Sequence, residues 1–132
     1  MNEKECDVRP EDIQRFVDEY NGGRDVAVQI LTMLMEDVPF RVERIRAAYE
    51  AGDFSAAAEV THSLISSIGV LGNACQTETA RDLETELRGP QATAANRSES
   101  VSDRGMARFE GEMADLLSAI DAVLSTDSAS SD

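Results

Sequence analysis

Apolar residues recur along the chain at helical steps, in five blocks separated by breakers. Over residues 10–20, Ile13, Phe16, Val17 and Tyr20 share one face of a helix. Pro10 suits its first turn, Glu11 and Asp12 complement its N-terminus, and Asn21-Gly22-Gly23 ends it. Over residues 25–50, Val26, Ile30, Met33 and Leu34 form a first stripe, and Val42, Ile45 and Tyr49 a second. Pro39 falls between the stripes and is expected to kink or restart the helix, with Asp37 as a candidate cap. Ala51-Gly52-Asp53 makes the next turn.

A third helix over residues 54–71 carries Phe54, Ala57, Ala58, Leu64, Ile68 and Leu71, and Gly72-Asn73 breaks it. A fourth, over 74–88, holds Leu83 and Leu87 and ends at Gly89-Pro90. Residues 89–102 are small and polar and read as a flexible linker. In residues 103–124, Met106, Phe109, Met113, Leu116, Ile120, Val123 and Leu124 recur at steps near 3 and 4, giving a strongly amphipathic helix. The tail, residues 125–132, is expected to be disordered. The pattern therefore predicts an all-α fold: an antiparallel four-helix bundle with an additional short N-terminal helix.

A chain of 132 residues is expected to form a single domain with a core that needs no metal or disulfide. Its 12 basic and 26 acidic residues give a net charge of −14, which repels nucleic acid and anionic lipid and favours a basic partner surface. Neither nucleic acid nor membrane is expected as a ligand. Cys6 and Cys75 lie far apart without C-x-x-C spacing and are expected to be free thiols in a reducing compartment. The polar N-terminus does not resemble a signal peptide, and no apolar run reaches the ~18 residues that span a bilayer. A cytoplasmic protein is expected.

The chain has one histidine, His62, in VTHSLISSIGVLGN. It lies about 200° from Leu64 on a helical wheel and so belongs to the outward face, with Glu59, Ser66 and Gly69. An exposed, solvated histidine is one reading. Glu59 and His62 also form an E-x-x-H pair, but a di-iron bundle needs two such pairs facing inward. No G-x-S-x-G elbow or Walker loop accompanies the histidine. The methionines Met33, Met35, Met106 and Met113 sit at helical spacing and read as packing residues.

The run His62-Ser63-Leu64-Ile65-Ser66-Ser67 through Leu71-Gly72 resembles the histidine-containing phosphotransfer (HPt) domain and its H-x-L-K-G-S signature. Gly22-Gly23-Arg24-Asp25, Met35 to Pro39, Ala51-Gly52-Asp53-Phe54 and Arg81-Asp82-Leu83-Glu84 extend the resemblance over residues 10–88. It implies a four-helix bundle in which His62 accepts a phosphoryl group from a receiver-domain aspartate or hybrid kinase and passes it to a response-regulator receiver. Glu84 would hydrogen-bond the other ring nitrogen and orient the imidazole. Glu59, Ile65, Ser66 and Gly69 would meet the docking receiver. Such a protein has no nucleotide site and no independent catalytic activity. It binds no cofactor, and Mg²⁺ is expected on the partner. A monomer is expected. Ile65 and Ser66 stand where the family has Lys and Gly, which motivates the alternative of a module that binds and regulates a receiver or kinase without taking phosphate.

Overall fold

The structure, a computed structural model, describes residues 8–72, 74–89 and 103–130, without side chains for the last four. Among the described residues, five α-helices follow in order: α1 (Pro10–Glu19), α2 (Arg24–Glu50), α3 (Phe54–Ile68), α4 (Ala74–Leu87) and α5 (Asp103–Ser130). A 3₁₀ turn, Gly69–Leu71, extends α3 to a left-handed Gly72 at φ 73°. No strand occurs among the described residues. In the all-α bundle, α3 packs between α2 and α4, α5 closes it against α4 and α2, and α1 lies over α5 and α2.

The core collects one stripe from each helix: Val17, Leu31, Val38, Ile45, Tyr49, Leu64, Ile68, Leu83, Met106, Phe109, Met113, Leu116 and Ile120 are all buried. Arg46 near the C-terminus of α2 forks onto Glu110 near the N-terminus of α5, with Nε to Oε2 at 2.9 Å. Tyr49 donates its hydroxyl to Asp103 one turn further along. These pairings run α5 antiparallel to α2 and set its height against the bundle.

Several expectations change. The helix predicted over 103–124 continues to Ser130, so the tail is helical to that residue; residues 131–132 lie outside the described ones. Nor does Pro39 divide α2, which runs unbroken from Arg24 to Glu50. The missing N–H deprives the Met35 carbonyl of its helical partner. Leu34 and Val38 before the proline and Ile45 and Tyr49 after it are buried in one core, which holds the helix through the defect. Asp37 caps nothing; it accepts from Arg41 Nε one turn on, at 2.6 Å.

The first stripe of α2 also shifts, to Ala27, Leu31 and Leu34, leaving Val26 41% and Met33 65% exposed. A stripe chosen by apolarity passes over a small residue such as Ala27 that lets helices approach. The predicted linker falls almost wholly on residues 90–102, outside the described ones.

Cys75, the second residue of α4, is disulfide-bonded, which corrects the expectation of free thiols there; Cys6 lies outside the described residues. Val8, Ile13 and Phe16 line one cleft with Leu71, Cys75 and Gln76, so α1 and Val8 just ahead of it lie against the start of α4. Spacing in sequence carries no information on such proximity. Phe54–Leu71, at mean hydropathy 1.2, is the one helix among the described residues long and apolar enough to cross a membrane. Here that stretch is the central helix of the bundle, packed on both flanks.

Ile68 and Met33 look alike as helical apolar positions but differ in burial. Ile68→Ala is expected to cost about 2–5 kcal/mol in urea denaturation, and Met33→Ala no more than about 0.5 kcal/mol.

Candidate functional site

The third helix is anchored at its start. Gly52 adopts φ 79°, a left-handed conformation that admits the tight turn out of α2. Asp53 then caps α3 by accepting from the Ala56 N–H at 3.1 Å. Phe54 is buried and stacks on Tyr49, with centroids 5.8 Å apart. These contacts fix the rotation of α3 about its axis. With Leu64 and Ile68 fully buried, His62 is turned outward and its side chain is 68% exposed.

Glu84 comes from α4, next to buried Leu83, on the flank that borders α3. Its side chain is only 16% exposed. Both carboxylate oxygens face His62 Nδ1, at 3.3 Å (Oε1) and 3.2 Å (Oε2). Arg88, one turn along α4, donates from Nε to Oε2 at 2.9 Å. Burial raises the Glu84 carboxyl pKa, but hydrogen bonds from Arg88 and then His62 outweigh it and hold the group below its reference value of 4.5. The acid is thus a carboxylate at neutral pH. A carboxylate can only accept, so Nδ1 donates. That tautomer puts the ring's lone pair on Nε2, which has no hydrogen-bond partner among the described residues.

The remaining candidates divide. Glu59 and Ser66, one turn before and one after His62, are exposed on its face. Gly69 is exposed too, and a Cβ built on it would meet nothing within 4 Å. Ile65 departs from the expectation of an exposed apolar contact: it is 8% exposed and belongs to the core. A helix packed on both flanks buries a wider arc than the single stripe assumed from the wheel. Thr61 is buried for the same reason and gives its hydroxyl proton to the Ala57 carbonyl at 2.8 Å.

Other residues enter the site that the sequence reading did not single out. Arg81 and Thr85 of α4 and Arg88 directly after it line an open cleft with His62, Ile65, Ser66 and Glu84. Their steps of 4 and 3 around Glu84 place them on one face of α4, a signal present in the sequence once Glu84 is fixed. On the other flank of α3, Met33 and Phe40, 65% and 59% exposed, line a second cleft with Glu36, Asp37, Arg41 and Ser67. Phe40 lies off both apolar stripes of α2. Among the described residues no group of three His, Cys, Asp or Glu side chains could hold a metal ion.

In comparisons with known proteins, a family model described as the Hpt domain matches residues 29–124. Searches against curated proteins and against solved structures each return no match.

The depressed Glu84 pKa carries a stability signature. Its contribution is complete above the unfolded value near 4.5 and is lost as pH falls through the lower folded value. The stability gap between wild type and Glu84→Gln is therefore expected to narrow as pH is lowered from about 6 to about 3. Urea titrations across that range measure it.

Proposed function

The chain belongs to the Hpt domain family, which works in two-component phosphorelays with receiver domains and kinases, and on that premise we propose that His62 is its phosphoryl acceptor. The observation that carries this reading is the engagement of Nδ1 by the Glu84 carboxylate on a ring that is itself exposed. Nε2 then holds the lone pair and faces a partner.

In the transfer, Nε2 attacks the phosphorus of a receiver's aspartyl phosphate. The Nε2–P bond forms as the P–O bond to the aspartate breaks, and the carboxylate leaves with its electron pair. The proton on Nδ1 stays on the ring, which becomes cationic beside Glu84. Reversal onto a second receiver completes the relay. Mg²⁺ and the acidic cluster that binds it belong to the receiver in this reading, so the chain's own contribution is position and charge.

The surface around His62 suits a docking partner. Gly69 and Ser66 leave room beside the ring, and Met33, Phe40 and Val70 supply exposed apolar area across α2 and the end of α3. With Ile65 in the core, docking falls to Glu59, Ser66 and Gly69 together with Met33 and Phe40. The chain acts as a single, monomeric phosphocarrier domain on this view. A cytoplasmic location follows, because the phosphoryl group originates from a kinase that uses ATP. A disulfide at Cys75 is uncommon in a reducing compartment, and fractionation of the source cells tests the assignment.

Incubation with a radiolabelled phospho-receiver is expected to move label to the wild-type chain and none to His62→Gln. Label on the mutant would place the acceptor elsewhere. Tight receiver binding with no alkali-stable, acid-labile phosphate would instead favour the regulatory module. Glu84→Ala is expected to slow labelling roughly 10- to 100-fold by releasing the ring, and Glu84→Gln less, because the amide oxygen still accepts from Nδ1. Gly69→Arg fills open space, so it is expected to leave the melting temperature unchanged while slowing transfer from the receiver.

A further inference from the structure

We propose that Arg81, on α4, is the phosphoryl-binding cation of this site and performs from across the helix interface what Ile65 cannot. The inference rests on His62 being the acceptor and adds a residue to that site. A phosphoryl group on Nε2 brings close to two negative charges to a surface already rich in acid. Glu84 adds another negative charge beneath the ring. Some cation has to offset this, and α3 offers none: the nearest outward neighbours of His62 are Glu59, Ser63 and Ser66.

The register of α3 against α4 locates the replacement. Only five residues, 69–73, separate the two helices in the chain, so they run antiparallel. His62 is level with Glu84, as their contact at 3.2 Å shows. Three residues toward the C-terminus of α3 correspond to three toward the N-terminus of α4. Ile65 is therefore level with Arg81, and the two line the same cleft with His62 and Ser66. The other arginine of the cleft, Arg88, is held by Glu84 through Nε at 2.9 Å, so much of its charge is spent on that carboxylate. Arg81 is exposed, and its guanidinium makes no ion pair or side-chain hydrogen bond among the described residues. A planar guanidinium can offer two parallel N–H donors to phosphoryl oxygens. Its long stem lets the head swing over the rim of the cleft toward Nε2.

The test uses the full chain and phosphoramidate, a small donor that needs no receiver and so separates phosphoryl binding from docking. Labelling of His62 is followed by ³¹P NMR in wild type, Arg81→Lys, Arg81→Gln and Arg81→Glu. Arg81→Gln is expected to slow labelling about fivefold and Arg81→Glu further, with Arg81→Lys near wild type. The ionisation midpoint of the phosphoryl group on His62, read from its ³¹P shift, should rise by about half a pH unit in Arg81→Gln. A merely structural arginine would not move that midpoint. Equal rates and equal midpoints in wild type, Gln and Glu variants overturn the role of Arg81 while leaving His62 as acceptor. Absence of label on wild-type His62, with label elsewhere or nowhere, overturns the acceptor assignment itself.

Discussion

A carboxylate from α4 receives a proton donor from a histidine on α3, and the geometry of that one contact constrains most of what surrounds it. For Glu84 to reach Nδ1 with both oxygens, α3 and α4 must be antiparallel, in one register and at one rotation about their axes. The Asp53 cap, the Gly52 turn and the Phe54 stack set the rotation of α3. The short Gly69–Leu71 turn and left-handed Gly72 then leave α4 little freedom to slide. The ring is held by its inner nitrogen alone, and the rest of it stays in solvent.

Charge is organised around the same contact. Glu84 is largely buried, and burial by itself disfavours its ionised form; Arg88 and His62 restore it. Arg88 thus serves the carboxylate, whereas Arg81, two turns earlier and on the same cleft, is left to serve whatever approaches Nε2. Two arginines on one helix face divide two tasks because one has an acid at hydrogen-bonding distance and the other does not. On a chain carrying −14 overall, that local positive edge is set against a strongly negative surface.

The remote parts of the bundle keep this arrangement rigid. The Arg46–Glu110 fork and the Tyr49–Asp103 hydrogen bond seat α5 on the end of α2 that leads into α3. Met106, Phe109, Met113, Leu116 and Ile120 then fill the core from the last helix, far from His62 in sequence. Unbroken passage of α2 through Pro39 shows how strongly that shared core dominates a local backbone preference costing about 3 kcal/mol in an isolated helix.

Apolar spacing and turn signals together determined that the described residues form five helices, nearly where each begins, and that His62 looks outward, because both are local properties read directly from residue order. The pairing of His62 with Glu84 was accessible only through the family resemblance, since nothing local connects residues 22 apart in sequence. Tertiary packing decided the rest. It buried Ile65 because two helices flank α3, exposed Met33 because Ala27 lets the neighbours close in on a different stripe, and carried α5 past residue 124. It also brought Arg81 level with Ile65. A side chain's partners depend on which elements lie beside its own, and that is fixed only when the whole core closes.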